Sequence, residues 1–235
     1  MTDARADEPR PLWRRITSSL WFQLVAAFVV TGLILSFVGK PYWVPSGSME
    51  ETLQPGDRIL VNRLAYVGAN PGAGDIVVFD ADDAWDTTPI PATDPLRGAL
   101  RWIGEVTGFG PSGAHTLVKR IIGTPGQSVE CCDADGAIVV DGAPLDEPYV
   151  FNDFAFEPGS LDCDTTPASL RCFDEVIVPE GRYLMLGDNR AGSSDSAIGC
   201  RVPDASPNCW RWASDGAIVG KAAVILWPIS RWGGL

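Results

Sequence analysis

Residues 116–122 read TLVKRII, an apolar run interrupted by two adjacent cations, Lys119 and Arg120. In an extended chain successive side chains point to opposite faces, so Leu117, Lys119 and Ile121 lie together and Val118 and Arg120 oppose them. The two cations cannot both sit on the wet face. The company of Leu117 and Ile121 makes Lys119 the one expected to be buried. Other short, apolar, β-branched runs flank this one: RILVN (58–62) and DIVVF (75–79) before it, then AIVV (137–140), EVIV (175–178), RYLML (182–186) and AAVILW (222–227). Turn signals separate them at Pro55-Gly56, Pro71-Gly72, Pro125-Gly126, Asp135-Gly136, Asp141-Gly142 and Glu180-Gly181. No 3.6-residue period of useful length appears in this part of the chain, so a mostly β domain is expected.

Ahead of the ladder, Ile16 to Gly39 carries no formal charge over 24 residues. A membrane-crossing helix needs about 20 mostly apolar residues. A cleaved signal peptide has an apolar core of about 7 to 15 residues that ends in small side chains. This run is longer and ends SFVGKPYW, which favours a retained anchor. Arg5, Arg10, Arg14 and Arg15 precede it and only Lys40 follows directly, so the positive-inside rule puts the N-terminus in the cytoplasm. The expected organisation is a cytoplasmic tail (1–15), a single transmembrane helix (16–39) and an extracytoplasmic β-rich domain (40–235). Residues 81–114, around Trp85 and Trp102, and residues 146–174 fit the ladder poorly and are expected as insertions.

The formal net charge of −12, from 18 basic and 30 acidic residues, argues against a phosphate-tracking surface and so against nucleic acid as a partner. All six cysteines follow the apolar span, which suits an oxidising compartment. Cys163 and Cys172 lie nine apart, as do Cys200 and Cys209, and the adjacent Cys131 and Cys132 leave the connectivity open. With no C-x-x-C motif and a single histidine, His115, distant from them in sequence, no metal is expected.

Just beyond the apolar span, PSGSM (45–49) offers Ser48 as a nucleophile. A serine hydroxyl needs a neighbouring base. His115 is one candidate but not the favoured one, since it follows the loop-like GPSGA and reads as a solvated loop residue. Lys119 is the other. An ordinary lysine titrates near 10.4 and is no base at neutral pH, but burial disfavours its charged form by up to several units. The strand alone leaves two readings open, a desolvated base or a lysine that snorkels to water.

PSGSM (45–49), GDIVVF (74–79), KRIIGTPGQ (119–127) and GDNRAGSSDS (187–196), in this order behind an apolar N-terminal span, resemble bacterial type I signal peptidase. The ending GKAAVILWPISRWGGL resembles the final strand and tail of actinobacterial-type members. The resemblance implies a signal-peptidase-like catalytic domain of small, barrel-like antiparallel sheets. It implies Ser48 as nucleophile, Lys119 as general base, and Ser46 with the Ser48 backbone N–H as oxyanion donors. Ser193 would orient the lysine, with Asp188, Arg190 and Asp195 as structural support. The usual arginine partner of Asp195 is replaced here by Ala197, which leaves Arg190 or Arg201 as substitutes. Tyr42, Val44, Pro45, Leu53, Leu117 and Val118 would line shallow pockets for small P1 and P3 side chains, and Met49 would lie beside the substrate and the lipid interface.

The activity so implied is removal of signal peptides from secretory preproteins at Ala-x-Ala-type sites on the outer face of the cytoplasmic membrane. The partners are preproteins and the lipid bilayer, the enzyme acts as a monomer, and no cofactor is needed. Two alternatives belong to other classes: a related Ser-Lys processing protease, and an anchored β-domain that binds without catalysis.

Overall fold

The computed structural model describes residue 13 and residues 17–85, 116–202 and 205–235. Helix α1 (Leu20–Phe37) starts after Ser18-Ser19, with Gln23 N donating to Ser19 O at 3.1 Å. It lies inside the span expected as transmembrane but is shorter at both ends, because the chain turns into a strand at Gly39. Its 18 residues cover about 27 Å at 1.5 Å each. Among the described residues, no helix is long and apolar enough to cross a membrane. The helix nevertheless exposes its apolar side chains, with Trp21 77% and Phe28 80% accessible.

Two antiparallel sheets follow. In chain order the strands are β1 (Gly39–Trp43), β2 (Arg58–Asn62), β3 (Ile76–Asp80), β4 (Thr116–Gly123), β5 (Ser128–Cys131), β6 (Ile138–Val140), β7 (Ala143–Pro144), β8 (Phe173–Ile177), β9 (Arg182–Leu186), β10 (Ala213–Ser214), β11 (Ile218–Trp227) and β12 (Gly233–Gly234). The larger sheet runs β1-β2-β11-β3-β4-β9-β10, with β12 on β11, and the smaller runs β7-β6-β5-β8. All seven sequence-identified runs fall on strands. Five strands had no such signal: β1, which carries Pro41 and a glycine, β5, which is interrupted by Glu130, and the two-residue β7, β10 and β12.

One apolar cluster joins Tyr42, Val44, Met49, Leu53, Ile59 and Val61 to Val78 and Ala222 and lies under the N-terminal half of the large sheet. A second, with Ile122, Val129, Ile138, Leu184 and Leu186, fills the space between the two sheets. Gly123 permits that contact, since a Cβ there would come within 2.7 Å of Val129 and 2.9 Å of Val178. Strand β4 thus packs against both clusters, which makes it the central positioning element.

Residues 146–172 contain only isolated bridges, Phe151 to Asn189 and Glu157 to Leu161, before β8 begins at Phe173. The disulfides pair each cysteine with its neighbour in sequence: Cys131–Cys132, Cys163–Cys172 and Cys200–Cys209. The Cys132, Cys163 and Cys172 sulfurs lie within 4.8 Å of one another, but as disulfides they offer no thiolate to a metal. His115, Trp102 and most of the insertion expected at 81–114 lie outside the described residues.

Candidate active site

Ser48 sits on a loop closed at its base by two hydrogen bonds. Val44 N donates to Asp57 O at 2.9 Å and Gly56 N donates to Val44 O at 2.8 Å. Inside the loop Leu53 N donates to Met49 O at 2.6 Å, winding the residues after the serine into a turn. Met49 and Leu53 then plug into the core at 1% and 0% exposure. From the far side, Asn189 N donates to Ser48 O at 3.1 Å and Asn189 Nδ2 donates to Gly47 O at 2.9 Å. Gly187 completes the clamp, because any Cβ there would collide with both Ser48 O and Ser193 Oγ.

Strand β4 brings Lys119 to this loop across 71 positions of sequence, and Lys119 Nζ donates to Ser48 Oγ at 2.8 Å. Both residues are buried, Ser48 at 8% and Lys119 at 3% exposure. Among the described residues Lys119 makes no ion pair; Asp195 and Asp188 are the carboxylates that act on it from a distance. Burial pulls its pKa down from 10.5 to about 8, and those two carboxylates partly resist the shift. At pH 7 about one such lysine in ten is neutral, against about one in three thousand for an exposed lysine. The contact can therefore reverse: a neutral amine accepts the hydroxyl proton that an ammonium cannot take.

The neighbouring Arg120, on the opposite face, has the opposite fate. Its Nε and Nη2 donate to Asp188 at 2.8 and 2.6 Å, and its guanidinium lies 3.8 Å from the centre of the Tyr149 ring. Thr52 Oγ1 also donates to Asp188, which ties the nucleophile loop to β4. Arg190 donates through Nε to Gly187 O at 3.0 Å and pairs with Glu147. The cation at Asp195 is therefore Arg201, at 3.3 Å, and not Arg190.

Ser193 is buried, but among the described residues its hydroxyl has no hydrogen-bond partner, so the bond to Lys119 that the resemblance implies is not made. Ser46 is exposed at the mouth of the site. A small cavity of about 40 Å³ opens beside Ser48 and Lys119. Tyr42, Val44, Pro45, Met49, Leu117 and Val118 line it as expected, and Trp43 and Thr116 join them without a sequence signal. Leu53 does not line it, being fully buried beneath in the core. Among the described residues, positions 116–119 of β4 pair only with β3, because β9 takes over at Arg120, and their second edge has no strand partner.

The comparisons with known proteins bear on this geometry. The family model described as signal peptidase, peptidase S26, matches residues 17–227. Signal peptidase I of Mycobacterium tuberculosis is 36% identical over 98% of this chain and 79% of its own length. A probable signal peptidase I of Mycobacterium leprae is 35% identical over 93% of this chain and 80% of its own. A probable signal peptidase I-1 of Synechocystis is 32% identical over 90% and 83%. With that match across nearly its whole described length, the chain belongs to the peptidase S26 family, as a hydrolase of the bacterial type I signal peptidase class.

Proposed function

We propose that this chain removes signal peptides from exported preproteins, with Ser48 as nucleophile and Lys119 as its general base. The buried 2.8 Å contact between Lys119 Nζ and Ser48 Oγ carries the reading. Neutral Lys119 takes the hydroxyl proton as Oγ attacks the scissile carbonyl. The ammonium so formed gives that proton to the leaving amine, which leaves an acyl-enzyme. Lys119, neutral again, then takes a proton from the attacking water and returns it to Ser48 Oγ as the acyl–oxygen bond breaks, which regenerates Ser48 and releases the signal peptide.

The oxyanion of each tetrahedral state is met by the Ser48 backbone N–H and by the exposed Ser46 hydroxyl, where one donor contributes about 3 kcal/mol. Ser193, buried with an unpartnered hydroxyl against Gly187, is available to orient Lys119 as the amine turns between serine and water. Asp188, Arg190 and Asp195 support the loop rather than enter the chemistry. The substrate lies extended along the unpaired edge of residues 116–119 by β-strand addition. Its P1 side chain enters the small, mostly apolar cavity beside Ser48. That supports cleavage after small residues, as in Ala-x-Ala sites.

The uncharged N-terminal span and the exposed apolar side chains of α1 support attachment to a membrane, with residues on either side of the helix completing the apolar length. The Arg-rich side faces the cytoplasm and the catalytic domain lies outside, as a monomer. Resistance of the full chain to alkaline-carbonate extraction checks the attachment; release into the soluble fraction refutes it. The reaction is tested with the purified chain and a preprotein bearing an Ala-x-Ala site. Wild type and His115→Ala cleave, whereas Ser48→Ala and Lys119→Ala do not. An inactive His115→Ala beside an active Lys119→Ala would sink the lysine-base reading.

A further inference from the structure

We infer that Arg201, held in place by the Cys200–Cys209 disulfide, is a positioning residue for the Ser48–Lys119 pair that acts through Asp195, so that cleavage and its pH dependence respond to the oxidation state of that disulfide. The inference rests on the dyad reading above.

Asp195 is fully buried on the loop that clamps the nucleophile. Its carboxylate receives Ala197 N at 3.2 Å and Gly187 N at 3.5 Å, and Gly187 is the residue packed between Ser48 O and Ser193 Oγ. A carboxylate without water needs a cation close by. Among the described residues Arg201 alone makes an ion pair with it. Without that cation the carboxylate charge would act undiminished on Lys119.

Arg201 is an unusual choice for the task. Arg120 grips Asp188 through two short bonds, whereas Arg201 reaches Asp195 through Nη1 alone, at 3.3 Å. Among the described residues its Nε is buried with no hydrogen-bond partner, and the Phe154 ring, 5.1 Å away, covers the guanidinium. A side chain with one long contact and an orphaned donor is not held there by its own bonds. The backbone supplies the restraint. Cys200, the preceding residue, is covalently joined to Cys209, and its N–H donates to Ala197 O at 2.9 Å. Gly199 packs so closely on Cys209 that a Cβ would lie 2.8 Å from its carbonyl oxygen.

The surrounding charges are accounted for. Lys119 faces Asp195 and Asp188, and Asp188 is matched by Arg120. Arg201 faces Asp195, Arg190 and Asp153; Arg190 is matched by Glu147 and Asp153 by Arg171. Loss of Arg201 therefore leaves Asp195 as the unmatched carboxylate, favours the Lys119 ammonium and moves the onset of activity to higher pH.

The disulfide is also within reach. A cleft of about 410 Å³ is lined by Cys200 and Arg201 together with Cys131, Cys163 and Cys172. A dithiol reductant attacks one sulfur of the Cys200–Cys209 bond as thiolate, forming a mixed disulfide and releasing the other cysteine. Its second thiol then displaces the remaining cysteine. Two electrons pass from the dithiol to the protein, which ends with two thiols while the reductant ends as a cyclic disulfide.

The test is the pH profile of kcat/KM for the full chain on a preprotein. The variants are Arg201→Ala, Arg201→Lys, Arg201→Ala with Asp195→Asn, and Cys200→Ser with Cys209→Ser. Wild type is also measured after dithiothreitol treatment, with the free thiols counted. The acid limb of Arg201→Ala, of the double serine variant and of reduced wild type is expected about one pH unit higher. Arg201→Lys keeps the wild-type limb, and adding Asp195→Asn to Arg201→Ala returns it. A limb unmoved in Arg201→Ala, whatever the loss of rate, overturns the inference. So does a limb unmoved in wild type whose Cys200 and Cys209 are shown to be reduced. If Lys119→Ala remains active, the dyad reading has failed instead.

Discussion

Lys119 and Arg120 are adjacent cations on one strand, and their two faces of β4 form two different regions. On one face Arg120 is matched in charge and geometry by Asp188. On the other Lys119 is buried beside apolar residues, and among the described residues its side chain hydrogen-bonds the Ser48 hydroxyl and makes no ion pair. A paired buried charge is chemically inert and holds loops together. An unpaired one is destabilised as an ion, and that destabilisation makes it a base near neutral pH.

Lys119→Arg keeps a cation in the site but cannot release a proton, so kcat/KM should fall by about 10⁴-fold, as for Ser48→Ala. In wild type, activity should rise with pH along a limb centred near 8, because only the neutral amine is competent and burial lowers the pKa to about 8. A rate independent of pH between about 6 and 9 contradicts that assignment.

Stability sharpens the comparison further. Arg120→Met leaves Asp188 buried and unpaired and should cost about 3–5 kcal/mol in urea unfolding. Lys119→Met should move the other way, stabilising the chain by about 1–3 kcal/mol at pH 7 while abolishing cleavage. The sign follows from the depressed pKa. Between about 8 and 10.5 the unfolded chain binds more protons at Lys119 than the folded one, so this residue makes stability rise with pH through that window. Below about pH 8 the full penalty is present, and Lys119→Met should flatten the rise.

Two smaller effects complete the series. Leu117→Ala enlarges the cavity beside Ser48 and should improve cleavage after valine relative to alanine by about tenfold, read from kcat/KM ratios. Lys221 pairs with Asp75 while 43% of its side chain remains exposed, so Lys221→Ala should change the unfolding free energy by less than about 1 kcal/mol. A larger loss would place that pair with Arg120 rather than at the surface.

Much of this arrangement is legible in the sequence where the signal is periodic or chemical. The seven strand runs alternate or carry β-branched residues, and all became strands. The alternation across 117–121 correctly put Lys119 inside and Arg120 opposite. The signal fades where pairing, not composition, makes the strand. Gly39–Trp43 reads as the tail of an apolar span, yet it pairs with Arg58–Asn62 over its whole length, and that pairing cuts the helix short. Leu53 was expected at the pocket and lies beneath it, because the turn after Met49 points it into the core. Ser193 reached the site without the expected bond. The choice of Arg201 over Arg190 was open in the sequence, since either is close enough along the chain.

By itself the sequence determined the composition of the machine. It specified a β ladder, an uncharged N-terminal span, a serine in a loop, a lysine forced inward by strand alternation, and cysteines suited to an oxidising space. These are local properties of residue type and spacing. The tertiary structure alone decided which groups meet: Lys119 with Ser48 across 71 residues, Arg120 with Asp188, Arg201 with Asp195, and each cysteine with its neighbour in sequence. Desolvation and ion pairing depend on distance and burial in three dimensions. The same two cations, indistinguishable as charges along the chain, therefore become a base and a brace only once β4 has been packed between its neighbours.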